Sequence, residues 1–134
     1  MKYQILHKWK YRTMTEESHS SNIVGLYIHT DYGRIDSDGG ITIFKNYCYD
    51  GGSGPAVDTK TAMTGSLFHD FLYQLMREGI LHKSYKDIAD RLLEQICIEN
   101  GMWKASAYWW YWAVRSFDKR SLEPSKDHLI ITVL

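Results

Sequence analysis

The sequence predicts an α+β fold, a small antiparallel sheet from the first fifty residues packed against three helices. Two observations carry that reading. Residues 1–50 set short β-prone runs between turn-formers, and from about residue 59 to 118 apolar side chains recur at helical spacing. A third observation, 134 residues with no linker, repeat or low-complexity stretch long enough to divide them, predicts a single domain able to bury one core.

The elements follow in order. Residues 3–12 alternate aromatic or apolar with polar and basic residues (Tyr3, Ile5, His7, Trp9, Tyr11), the pattern of a half-buried strand. Thr13 to Asn22 is polar and reads as a loop. Ile23 to Ile28 reads as a second strand, weakened by Gly25. Asp31-Tyr32-Gly33 and Asp36-Ser37-Asp38-Gly39-Gly40 are turn-formers, and Arg34-Ile35 and Ile41 to Phe44 read as short strands beside them. The Asp36–Gly40 cluster lacks the downstream glutamate and spacing of an EF-hand, so a hairpin turn is expected.

Three helices are then expected. The first spans about Thr61 to Arg77, with Leu67, Phe68, Phe71, Leu72, Leu75 and Met76 on one face and Gly79 at its end. The second begins after Ser84 as N-cap and carries Tyr85, Ile88, Ala89, Leu92, Leu93, Ile96 and Cys97, with Gly101 closing it. The third runs from about Trp103 to Phe117 through the aromatic run Tyr108–Trp112, which reads as core or as a binding surface. Residues 129–134, Leu-Ile-Ile-Thr-Val-Leu, read as a possible extra strand of the sheet.

Composition narrows the classes. Sixteen basic residues balance sixteen acidic ones, so no net field draws the chain to nucleic acid or membranes. No apolar run approaches a membrane span, and no signal peptide is visible in Met1 to Lys8. Cys48 and Cys97 are too few and too distant for a disulfide scaffold, which fits a reducing cytoplasm. No Walker-type loop, dinucleotide fingerprint, CxxC pair or HExxH is present, and His7, His19, His29, His82 and His128 show no metal-ligand spacing.

Chemistry concentrates between residues 50 and 90. A glycine-rich turn, Asp50-Gly51-Gly52-Ser53-Gly54-Pro55, precedes the first helix, which carries His69-Asp70 and Tyr73. His69 and Tyr73 are four apart and share a helix face. The short loop from Gly79 to Ser84 pairs the first two helices antiparallel. At 1.5 Å per residue His69 lies roughly 14 Å from that turn and Asp90 roughly 8 Å, a mismatch of about one turn that tilt can absorb. A carboxylate on one imidazole nitrogen fixes the tautomer and leaves the other nitrogen as a general base. Asp70, about 100° around the helix, is placed to hold a cation beside it, with Asp50 or Asp58 and the glycine-turn carbonyls as further ligands. The same turn could instead cradle an anion through its N–H groups, with Arg77 and Arg115 in support. Each element also has a structural reading: adjacent His-Asp pairs arise by chance, glycine turns are usually turns, and Lys86, Arg91 and Arg115 are available to pair an Asp.

Two resemblances rest on these motifs. Tyr49-Asp50-Gly51-Gly52-Ser53-Gly54-Pro55, His69-Asp70-Phe71-Leu72-Tyr73-Gln74-Leu75-Met76-Arg77, Ala89-Asp90, Gly101-Met102 and Tyr111-Trp112-Ala113-Val114-Arg115 together resemble a family of small tailed-phage and prophage proteins without an established activity. The glycine turn, the HDxxY helix and the Asp of the second helix resemble phospholipases of the A2 class, especially small bacterial ones. That resemblance implies His69 as general base, Asp90 as its partner, Tyr73 as support for the dyad, and Asp70 as a calcium ligand beside a loop holding Gly52 and Gly54. Unlike those secreted, disulfide-bonded enzymes, this chain has no cysteine pairs flanking the motif, and Pro55 interrupts the loop.

The leading expectation is a phage-encoded, calcium-dependent hydrolase of an ester or phosphoester, lipid or small molecule. It would act in the host cytoplasm or with the virion. The alternative is a non-catalytic phage accessory, virion or anti-defence protein that binds a host or phage protein or a small anion, its HD motif tying helices together. A dyad needs His69 facing a cleft, whereas a structural histidine is enclosed with its nitrogens satisfied.

Overall fold

A computed structural model of the chain describes residues 3–5, 11–49 and 60–115. The fold is α+β: short antiparallel strands in the first fifty residues, then three helices. The chain divides into two compact units, one holding the strands and one holding the helices.

The strand unit contains seven short strands: β1 (Tyr3–Ile5), β2 (Tyr11–Thr13), β3 (Glu17–His19), β4 (Ile28–Thr30), β5 (Gly33–Ile35), β6 (Ile41–Ile43) and β7 (Cys48–Tyr49). They form a three-stranded sheet, β1-β2-β7, and a four-stranded one, β3-β6-β5-β4, with every pairing antiparallel. The single strand expected over residues 3–12 is two strands paired to each other, with Tyr3 opposite Thr13. The strand expected at 23–28 begins only at Ile28, because Gly25 takes φ +81°, outside any strand. The polar segment 13–22, expected as a loop, supplies β3, whose Ser18 side chain meets Thr42 of β6 at 3.3 Å.

Asp36–Gly40 is the expected turn, joining β5 to β6, with the Gly39 N–H donating to the Asp36 carbonyl. Gly39 sits at φ +95° against the Ser21 carbonyl, a backbone position only glycine fills without strain. Ile23, Ile35, Ile41 and Ile43 are fully buried, and a row of rings runs beside them, Tyr32–Tyr47 at 5.8 Å, Tyr47–Tyr49 at 6.4 Å and Tyr11–Tyr49 at 5.6 Å. Buried Thr13 ties the two ends of this unit together. Its hydroxyl accepts from the Tyr47 N–H at 2.9 Å and donates to the Phe44 carbonyl at 3.2 Å.

The helical unit contains α1 (Lys60–Arg77), α2 (Lys86–Glu99) and α3 (Lys104–Arg115). α1 ends at Gly79 (φ +74°), where the Gly79 and Ile80 N–H groups return to the Met76 and Leu75 carbonyls. α2 closes in the same way at Gly101 (φ +99°), with the Met102 N–H on the Cys97 carbonyl. The α2 start differs from expectation. A 3-10 turn, Lys83–Tyr85, intervenes, and its cap is the His82 ring, which accepts from the Ser84 N–H; Ser84 caps nothing.

α1 and α2 run antiparallel: Gly65 faces Leu93 and Cys97, and four residues on, His69 faces Asp90. Gly65 is small for a reason, since a Cβ there would lie 2.9 Å from Cys97 Sγ and from Leu93 Cδ1. α3 closes the unit, with Ala62, Leu93, Cys97, Ala107, Trp110 and Val114 forming a core cluster. Only part of the aromatic run is core. Trp110 and Tyr111 are buried, whereas Tyr108, Trp109 and Trp112 are half exposed and Trp103 is 82 % exposed. Asp50, Gly52, Gly54, Pro55, Asp58, Phe117 and the expected strand at 129–134 lie outside the described residues.

Candidate active site

His69, Tyr73, Lys86 and Asp90 meet at one carboxylate inside the helical unit. The α1 period places His69 and Tyr73 on the same buried face, their rings 4.0 Å apart. The α2 period does the same for Lys86 and Asp90. Asp90 Oδ1 accepts from His69 Nε2 at 2.7 Å and from the Tyr73 hydroxyl at 2.5 Å. Its Oδ2 accepts from Lys86 Nζ at 2.8 Å. Lys86 Nζ donates further to the Val114 and Arg115 carbonyls, at 3.0 and 3.2 Å, in the last turn of α3. All four side chains are buried, Asp90 completely.

The protonation states follow from this inventory. Burial alone would raise the Asp90 pKa, but hydrogen bonds from His69, Lys86 and Tyr73 overcome it, and the carboxyl lies below its ordinary value of 3.8. An ionised carboxylate only accepts, so each partner donates. Burial lowers the His69 pKa below 6.5; Asp90 works against that shift, while Lys86 and Arg77 reinforce it. Lys86 therefore supplies the positive charge, and His69 is the neutral tautomer protonated at Nε2, with its lone pair on Nδ1. Tyr73 stays a phenol, its pKa raised by burial and by Asp90. Burial likewise pushes the nearby Cys97 thiol up to about 12, leaving it inert as a nucleophile.

The other candidate residues are placed as follows. Asp70 is half-buried on α1, next to His69 in sequence and turned away from its face. Asp50, Gly52 and Gly54, its expected co-ligands, lie outside the described residues. Among the described residues no group of three His, Cys, Asp or Glu is arranged to hold a metal ion. Asp70 supplies one carboxylate toward the six to eight oxygens calcium takes.

Arg77 lies 6.0 Å from the Tyr73 ring, on the dyad side of α1. Arg115 is engaged elsewhere: it pairs with Asp87, which also accepts from the Tyr111 hydroxyl at 2.9 Å, while Arg91 stacks on Tyr111 at 3.9 Å. That cluster joins α2 to α3.

Lys86 is the member that motif reasoning passed over, treating it as one of several cations near an Asp. Its spacing was the available signal: four residues before Asp90 on one helix is ion-pair distance.

With the site in view, comparison with known proteins adds nothing further. No family model, no curated protein and no solved structure matches this chain.

Proposed function

We propose that the helical unit carries a hydrolytic site in which His69 is the general base and Asp90 its orienting partner. The observation that supports this most is the shared oxygen, Asp90 Oδ1, which takes both the His69 Nε2–H and the Tyr73 hydroxyl. Two fixed donors on one oxygen hold the imidazole plane and its tautomer, so Nδ1 is the nitrogen left to take a proton from water. Burial keeps the imidazole neutral, the form that works as a base. The cleft a base also needs is what the substrate test must reveal, since His69 is 5 % exposed. An ester or phosphoester, of a lipid or a small molecule, is the substrate class proposed. The motif resemblance to phage proteins makes a phage-encoded enzyme the accompanying reading. Calcium, held by Asp70 with the glycine turn, is the cofactor to test.

The test is hydrolysis of short-chain esters, phospholipid vesicles and phosphodiesters by wild type and His69→Ala, with millimolar calcium or with chelator. Turnover lost in His69→Ala supports the base. Turnover that survives the substitution, or none from wild type on any substrate, removes the reading. Calcium binding by calorimetry, lost in Asp70→Ala, decides the metal separately.

A second reading is favoured by the burial of His69, 5 % exposed, with its Nε2 already bonded. There the four residues are a polar lock that fixes how the helices pair, and the protein is a binding or accessory protein. Inactivity combined with a large loss of stability in His69→Ala would support it.

A further inference from the structure

We infer that Lys86 is a positioning residue for the proposed dyad, coupling the carboxylate of Asp90 to the C-terminal end of α3; this rests on the hydrolytic reading above. The geometry divides the carboxylate between two tasks. Oδ1 serves His69 and Tyr73, and Oδ2 is taken by Lys86 at 2.8 Å. A carboxylate held at one oxygen can rotate about its Cβ–Cγ bond; held at both, it cannot. Lys86 thus locks the plane in which Oδ1 points at His69.

What anchors Lys86 lies on another helix. Its ammonium has three protons and three acceptors: Asp90 Oδ2 and the carbonyls of Val114 and Arg115. Those carbonyls belong to the last turn of α3, where helical carbonyls lack intrahelical donors and the helix dipole is negative. The position of α3 is thereby passed to the dyad through one buried side chain, 3 % exposed. The Tyr73 ring, 5.8 Å from Nζ, borders the same pocket. A second bridge between α2 and α3, Asp87 with Tyr111 and Arg115, lies at the surface and does not touch the Asp90 carboxylate. It is therefore the natural control for losing an α2–α3 contact that does not reach the Asp90 carboxylate, while Lys86 still holds α3.

The experiment compares wild type, Lys86→Met and Asp87→Asn by two readouts. One is the NMR signal of the His69 Nε2 proton, which is shifted downfield and protected only while it donates to the buried carboxylate. The other is kcat and KM on whichever substrate wild type turns over. Lys86→Met is expected to lose or broaden the His69 signal while the core methyl and indole resonances persist. It should drop kcat roughly 100-fold with KM little changed, the scale of a small misplacement of a reacting group. Asp87→Asn should keep both. A folded Lys86→Met that retains the signal and the wild-type kcat overturns the inference, as does an equal loss in Asp87→Asn. Should Lys86→Met not fold, Lys86→Gln, which keeps an amide donor group but no charge, is judged by the same outcomes. If wild type hydrolyses nothing, the hydrolytic reading falls, and with it the positioning role; the NMR signal alone then separates a missing lock from a missing enzyme.

Discussion

Replacing Asp90 by Asn changes one atom and leaves the shape of the buried site intact, yet it removes the counter-charge of Lys86. The amide oxygen can still accept from His69 and Tyr73, but its other group is a donor that now faces the Lys86 ammonium. Lys86 and Asp90 are 3 % and 0 % exposed in their side chains, so water cannot stand in for the lost carboxylate. Breaking a buried ion pair from one side costs about 3–5 kcal/mol. For a chain of this size that lowers the melting temperature by about 10–20 °C.

Urea unfolding followed by tryptophan fluorescence is a suitable assay, because four of the five tryptophans fall between residues 103 and 112, in or beside α3. Removing the stranded charge as well, in Lys86→Met/Asp90→Asn, should recover about 1–3 kcal/mol relative to the sum of the single losses. A loss under about 1 kcal/mol in Asp90→Asn, or strict additivity in the double variant, would refute the charge assignment.

Further expectations concern the rest of the molecule. Gly65→Ala gains up to about 1 kcal/mol of helix propensity but pushes a methyl into Cys97 and Leu93, an overlap that costs about 1–3 kcal/mol, so calorimetry should show a net loss. Gly39→Ala forces a Cβ against the Ser21 carbonyl at positive φ and should destabilise the strand unit, seen as faster amide exchange in β5 and β6. Thr13→Val strands the Tyr47 N–H and should cost about 1–3 kcal/mol by denaturant titration. Acid should act in two steps. The lowered His69 pKa means the unfolded chain takes up that proton first, so its share of stability is present above pH 6.5 and lost as pH falls below it. The lowered Asp90 pKa contributes stability above 3.8 that is lost on further acidification. A melting temperature flat from pH 7 to 3 would contradict both.

The helical half was legible because its signals are local and periodic. The apolar stripes of α1 and α2, with Gly79 and Gly101 at their ends, placed both helices to within a few residues and brought His69 opposite Asp90. The strand half was less so. Three-residue strands are too short to show a period, and β3, built from Glu17, Ser18 and His19, is a polar strand at the end of its sheet, paired on one side to β6. Register there depends on partners distant in sequence, such as Thr13 on Tyr47, which no local pattern encodes. Ser84 looked like an N-cap because Asp87 follows three residues on, but a 3-10 turn precedes α2 and Ser84 lies inside it, its own N–H bonded to the His82 ring. The site was half legible for a similar reason. His69, Tyr73 and Asp90 carry a motif, while Lys86 draws its meaning from the carbonyls of Val114 and Arg115 on a third helix.

The state of the His69 ring tests the account most directly. Long-range proton–nitrogen correlation spectra at pH 7 should show Nε2 protonated and bonded and Nδ1 bare. A ring protonated at both nitrogens would return the positive charge to His69, and a proton on Nδ1 alone would put the lone pair on Nε2, against the Asp90 carboxylate and out of reach of water. Either result would contradict the proposed dyad.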